Sequence, residues 1–291
     1  MGPPDRGRAA RDGPRLQPPR NRPRNSRFRR KDLMTRHETF TRTDIAEKPF
    51  VLATDLDGTF LGGSEEARAR FYAWIEANRD KVGLIFVTGR DPGFIRALTS
   101  RKGVPRPDYV VGDVGTTIAE VGPDHMLTPI GALEDEIETL WNNANGRVQA
   151  ALSGVAGLKL QSTGFRHRVS YDLEMERFDR RALDIVADLG LDALISNDRY
   201  FDVLPKGVSK GPSLLRLLSH LGIANERTLV AGDTLNDLSM LTLGLPAVAV
   251  GGSEPALIRE VAPLEHVHKA EGIGVAGIAE AILEKNFFNQ A

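Results

Sequence analysis

From Phe50 onward the chain alternates short apolar runs with amphipathic stretches of helical period, a texture that few architectures accept. Strands buried on both faces read as unbroken apolar runs, and they occur where helices cover both sides of a parallel sheet. Residues 50–54, 83–88, 109–111, 228–231 and 246–250 fit that description, and 116–121 read as a hairpin partner after Gly115. Helices are predicted over 64–78, from Asp91 onward, and over 210–221, 235–242, 255–261 and 273–285. Ser64 and Asp91 are the N-caps, and Pro92 suits a first helical turn.

The middle third breaks this rhythm. A helix over 133–145 precedes strands at 158–162 and 168–173, a helix over 178–189, and strands at 193–196 and 200–204. An α-β-β-α-β-β order cannot simply continue a doubly wound sheet. The expected fold is therefore α/β: a Rossmann-like, doubly wound parallel-sheet core with an inserted α+β domain. The expected boundaries are 47–125 and 206–291 for the core and 126–205 for the insertion.

Composition narrows the classes further. A chain of 291 residues with 41% hydrophobic content can bury one substantial core and a satellite. Its apolar runs fall well short of the roughly 20 residues of a membrane helix. The absence of Cys excludes disulfides and thiolate metal sites, and the N-terminus lacks the apolar stretch of a secretory signal. A soluble, cytoplasmic protein without a membrane partner is expected; nothing in the sequence sets its oligomeric state. The net charge of -1 conceals an Arg- and Pro-rich basic segment, residues 1–46, ahead of an acidic body. That arm has neither helical nor strand periodicity and is expected to be disordered. It reads either as a nucleic-acid or polyanion contact or, the preferred reading, as a plain extension, with Met34 left open as an alternative start. An acidic body repels an anionic substrate unless a cation sits between them, a first pointer to metal assistance.

Four short motifs carry chemistry. Asp55-Leu56-Asp57-Gly58-Thr59 follows an apolar strand, and in an extended segment alternate residues share a side, so both carboxylates project together. Carboxylates that close need a cation or a shared proton, whereas the bland reading is a turn-forming Asp-x-Asp-Gly. Gly232-Asp233-Thr234-Leu235-Asn236-Asp237 again joins an apolar strand to a helix. A capping box between Thr234 and Asp237 explains those two residues and leaves Asp233 unexplained. Asp55, Asp57 and Asp233 would supply hard oxygen ligands suited to Mg2+. Thr88-Gly89-Arg90 ends a third strand, where a hydroxyl and a close backbone approach can hold phosphate oxygens, as a plain strand-to-helix turn would also allow. Lys210 opens a helix, where the dipole disfavours a cation, so its charge is wanted elsewhere unless it merely faces solvent.

In their order and spacing these motifs resemble those of the haloacid dehalogenase superfamily. The insertion is similar to the cap of its sucrose-phosphate phosphatase branch, as are residues 114–118, 168–171 and 201–205 with Ser209-Lys210-Gly211. The resemblance implies a phosphoric monoester hydrolase acting on a small-molecule sugar phosphate with Mg2+ as cofactor. It makes Asp55 the nucleophile, Asp57 the general acid and base, and Thr88 and Lys210 the residues that orient and neutralise the phosphoryl group. Gly89, Arg90, Asn236 and Arg168 would touch phosphate or sugar, with residues 161–167 as further candidates for the sugar. Metal would be held by Asp55, the backbone carbonyl of Asp57, Asp233 and, through water, Asp237. Gly58-Thr59-Phe60 and Thr234-Leu235 depart from the branch's usual residues, which leaves mannosylfructose phosphate or a glycosyl phosphoglycerate open beside sucrose phosphate. Two other functions stay open: a phosphomannomutase-like phosphosugar mutase, and a non-catalytic sugar-phosphate or nucleic-acid binder that uses the arm.

Overall fold

A computed structural model of the chain describes residues 44–162, 164 and 166–287, together with Gly2. Most of the Arg-rich arm, with Met34, lies outside the described residues. Its last few positions do not: Asp44 caps a 3-10 turn over Ile45–Glu47, and Ile45 is buried against Gly83. The folded part thus begins before the expected boundary at 47, because Ile45 has apolar surface to hide.

The first half-sheet follows as β1 (Phe50–Thr54), α1 (Glu65–Ala77), β2 (Val82–Val87), α2 (Pro92–Thr99), β3 (Tyr109–Gly112), β4 (Thr117–Val121) and β5 (Leu127–Pro129). The insertion comprises α3 (Gly131–Trp141), α4 (Asn145–Ala151), β6 (Leu158–Leu160), β7 (Val169–Leu173), α5 (Arg181–Asp188), β8 (Asp192–Ser196) and β9 (Tyr200–Leu204). The second half-sheet is α6 (Lys210–Leu221), β10 (Thr228–Gly232), α7 (Leu238–Leu241), β11 (Ala247–Gly251), α8 (Pro255–Val261), β12 (Val267–Ile273) and α9 (Val275–Glu284).

Eight strands form the larger sheet in the order β12-β11-β10-β1-β2-β3-β4-β5, all running parallel except the reversed β4, which pairs antiparallel with both β3 and β5. Every residue of β1 and β2 is buried, as strands covered on both faces require. Their side chains alternate between two cores: Val51, Ala53, Ile85 and Val87 enter one, and Phe50, Leu52, Leu84 and Phe86 the other. The chain runs outward from β1 in both directions, through β2 and β3 on one side and β10 to β12 on the other. Strand order therefore reverses at β1, and open α/β sheets bind ligands in the crevice at the carboxyl end of such a point.

The four-stranded sheet, β6-β7-β9-β8, is wholly antiparallel. Val169, Tyr171, Phe201 and Val203 pack against Val148, Ala182 and Val186 of α4 and α5. By the two-residue strand period Ser170 and Asp202 fall on the opposite face, directly paired in register.

Several expectations shift. The helix expected over 133–145 is two helices, because Asn142 and Asn143 adopt left-handed φ values of 47° and 50° between α3 and α4. The larger sheet continues through β5, past the expected boundary at 125, and Leu133 and Ile137 of α3 still pack in its core. Arg168 precedes β7 instead of opening it.

Candidate active site

The turn after β1 sets the geometry. Asp55 directly follows the strand at 6% exposure, Leu56 turns into the core, and Gly58 takes φ 81°. A Cβ at Gly58 would lie 2.1 Å from Asp233 Oδ2, so only glycine lets the two loops close on each other. Thr59, to which the motif alone assigns no role, donates its hydroxyl to Asp233 Oδ1 at 2.7 Å. The backbone therefore brings positions 55 and 233, far apart in sequence, to one place.

Lys210 opens α6 and is fully buried. Its ammonium donates to Asp55 Oδ1 at 2.6 Å, Asp237 Oδ1 at 2.7 Å and Asn236 Oδ1 at 2.9 Å. Those three acceptors explain a cation at a helix N-terminus: the carboxylates outweigh the dipole. Asp237 Oδ2 accepts from the backbone N–H groups of Asp233 and Thr234. With Thr234 it completes the capping box, so the structural reading of this residue holds and its second oxygen serves Lys210.

Asp55, Asp233 and Asp237 each bring a carboxylate oxygen within 4.8 Å of the others. Burial pushes the Asp55 carboxyl up to about 8, with Asp237 and Asp233 adding repulsion against the pull of Lys210. Burial likewise pushes Asp233 up to about 6, opposed by the Thr59 hydrogen bond. For Lys210 burial acts downward, yet the two carboxylates prevail and hold it above the usual lysine range. Three carboxylates against one ammonium leave a formal charge of 1 − 3 = −2 in a largely buried site. That excess and the all-oxygen donor set suit a hard divalent cation.

Asp57 is placed differently from the expectation. Its side chain is 54% exposed and lies outside the three-carboxylate group, gripped by Arg90 through two hydrogen bonds of 2.8 and 2.9 Å. Arg90, expected on phosphate, thus holds a carboxylate, and its guanidinium stacks 4.5 Å over the Phe94 ring. The two aspartates diverge because the chain leaves extended geometry at Leu56. Thr88 is buried at the end of β2, its hydroxyl accepting from Arg90 N–H at 3.1 Å. A Cβ on Gly89 would meet Val114 Cγ2 at 3.7 Å, ordinary contact, so among the described residues no neighbour demands glycine there.

The sugar candidates are also engaged. Arg168 donates to Ser170 Oγ at 2.8 Å, Asp202 Oδ1 at 3.1 Å and Asp113 Oδ1 at 3.2 Å, which uses its fork on protein partners. In the 161–167 stretch, Gln161 donates to Asp172, Arg166 pairs with Glu134, and His167 lies 3.9 Å from Glu134, its pKa lowered by burial and then by Arg166. Thr163 and Phe165 lie outside the described residues. Among the described residues no helix is long and apolar enough to cross a membrane.

The profile of the sucrose-6F-phosphate phosphohydrolase family matches residues 48–287. Glucosylglycerol-phosphate synthase of Pseudomonas anguilliseptica is 39% identical over 241 residues, 82% of this chain; the match spans only 31% of that protein's length. Mannosylfructose-phosphate phosphatase of Agrobacterium fabrum is 30% identical over 72% of this chain and 85% of its own. In structure the chain is similar to the sucrose-phosphatase of Synechocystis, solved with sucrose and phosphate, at a TM-score of 0.73 and 24% identity over 83% of this chain and 99% of that one. The matched span contains both half-sheets, the insertion and all four motifs, and the chain belongs to the sucrose-6F-phosphate phosphohydrolase family.

Proposed function

We propose that this chain is a Mg2+-dependent phosphatase that frees a phosphorylated glycoside of its phosphate through an aspartyl-phosphate on Asp55. The buried contact of Lys210 with Asp55, beside Asp233, carries this reading: it places a carboxylate oxygen and a neutralising cation together at the carboxyl end of β1. Asp55 attacks phosphorus and the bond from phosphorus to the sugar oxygen breaks. Asp57 donates a proton to that departing oxygen, which requires its carboxyl to turn from Arg90. Asp57 then accepts a proton from the water that releases phosphate and restores Asp55. Thr88 and Lys210 orient and offset the phosphoryl charge, with Asn236 holding the ammonium in line. Asp55, the Asp57 carbonyl, Asp233 and, through water, Asp237 would hold Mg2+, which would neutralise charge on the transferring group. The insertion, residues 131–205, acts as a cap that excludes water and selects the sugar.

The names of the relatives support a phosphorylated glycoside as the substrate class. Glucosylglycerol phosphate, mannosylfructose phosphate and sucrose phosphate each join a glycosyl unit to a second unit as a phosphate ester. Free phosphate measured over a panel of these three, with hexose phosphates as controls, tests the reading. Release that needs Mg2+ and favours one glycoside phosphate is expected; isomerised sugar phosphate without free phosphate would make the chain a mutase.

Metal binding is testable by stability. Asp55 and Asp233 have folded pKa values raised from 3.8 to about 8 and about 6. Such groups contribute stability below the unfolded value and lose it as pH climbs through the folded one. A cation that binds their ionised forms restores what is lost. The rise in Tm on adding Mg2+ is therefore expected to be larger at pH 8 than at pH 5; an equal or smaller rise would remove these carboxylates from the metal site.

A further inference from the structure

Residues 113–115 join parts of the molecule that lie far apart in sequence. Asp113 N–H donates to Arg90 O at 3.1 Å and Val114 N–H to Thr88 O at 3.1 Å, so the segment is interlocked with the loop carrying Thr88. Gly115, with φ 103°, packs so tightly on Ser209 that a Cβ would lie 2.5 Å from its carbonyl carbon. Its carbonyl also accepts from Ser213 Oγ at 2.7 Å, just beyond Lys210. Asp113 and Val114 both hold left-handed φ values, 50° and 61°. A β-branched residue there is strained, and such conformations persist only where their surroundings over-determine them.

The Asp113 side chain faces two ways. One oxygen accepts from Thr117 Oγ1 at 2.9 Å within the larger sheet. The other accepts from Arg168 Nη2 at 3.2 Å, across the seam to the insertion. Both side chains of this ion pair are only 14% exposed, so water screens it little. Arg168 is in turn fixed to the insertion through Ser170 and Asp202, cross-strand neighbours on the face opposite that sheet's own core. A polar chain therefore runs from Thr117 through Asp113 and Arg168 to Asp202. Its middle link touches the backbone that presents Thr88.

We infer that Asp113 is a positioning residue: with Arg168 it forms an ionic latch that holds the insertion closed over the site and ties that closure to the loops presenting Thr88 and Lys210. The inference rests on the phosphatase reading for its kinetic consequence and not for its structural one. Asp113→Asn is the informative change, because Asn tolerates a left-handed backbone and removes only the charge. Arg168→Lys is the companion, since a single ammonium cannot reproduce the fork.

The chain has no Cys, so spin labels at Lys102→Cys and Lys159→Cys report the separation of the larger sheet's body and the insertion. Both latch variants, in otherwise full-length protein that unfolds cooperatively, are expected to broaden that distance distribution toward longer values. Asp113→Asn is further expected to lower kcat/KM for the preferred glycoside phosphate by about 10- to 100-fold, mainly through KM, as loss of a desolvated charge-assisted hydrogen bond implies. Turnover of p-nitrophenyl phosphate, which needs no sugar contact, is expected to stay within about 3-fold. Unchanged distances in both variants overturn the latch, as does an equal loss on both substrates without a change in distance. If the parent protein releases phosphate from no sugar phosphate, the phosphatase reading falls while the distance measurement still decides the latch.

Discussion

Asp55→Asn is expected to abolish phosphate release, by about 10⁴-fold or more in kcat, while leaving the fold intact or more stable. An amide oxygen can still accept the hydrogen bond that Lys210 gives Asp55, so the packing around the ammonium survives. It is a far poorer nucleophile, and Asp233 and Asp237 are held by Thr59 and by the capping box, unable to replace it. The stability effect has a definite sign. Asp55 is raised from 3.8 to about 8, so what it contributes in the metal-free protein is lost as pH rises through 8. Asn does not titrate, and the variant's Tm should therefore gain on the parent between pH 5 and pH 8, by about 2–4 °C for each kcal/mol recovered. Phosphate release and Tm measured on the same preparation check both halves. Activity within tenfold of the parent would remove Asp55 as the nucleophile, and a Tm that falls with pH relative to the parent would contradict the repulsion argued for the site.

Much of this site was legible in the chain because its residues sit where strands end. Phe50–Thr54 and Thr228–Gly232 are uncharged and buried throughout, so Asp55 and Asp233 stand out as the first charges after buried strands. Lys210 could be singled out because a cation at a helix N-terminus opposes the dipole. What the sequence could not show is which anion each cation meets. Arg90 and Arg168 were assigned to substrate, yet one grips Asp57 and the other spans Asp113 and Asp202, because carboxylates of the protein recruit guanidinium as readily as phosphate does. Asp113 carries no such signal: it holds a left-handed backbone and meets a partner from the insertion, Arg168. In the fold, β12 escaped notice because Val-His-Lys-Ala-Glu-Gly-Ile is an edge strand with alternating exposure and no apolar run. The break between α3 and α4 turned on two adjacent asparagines whose tolerance of positive φ a helical periodicity does not register.

Lys210→Met tests the charge balance from the other side and is expected to be the most destabilising single change in the site. The ammonium is fully buried and holds two carboxylates and an amide at 2.6–2.9 Å. Met fills a similar volume without supplying a charge, so the packing loss is small and the electrostatic loss dominates. The site passes from a formal −2 to −3 with no internal cation, and breaking a buried pair by removing one partner costs about 3–5 kcal/mol. Part of that cost can be relieved by protonating Asp55, which is already poised to hold its proton up to about 8. The penalty should therefore be smaller at pH 5 than at pH 8, and Mg2+ should recover more stability in the variant than in the parent. Chemical denaturation at both pH values, with and without Mg2+, reads all four corners. A penalty independent of pH would mean that Lys210 serves packing alone. Activity should be lost even where the fold is rescued by metal, because the ammonium that offsets charge beside the attacking oxygen is gone. Turnover near the parent level in Mg2+-stabilised Lys210→Met protein would separate this lysine from the chemistry.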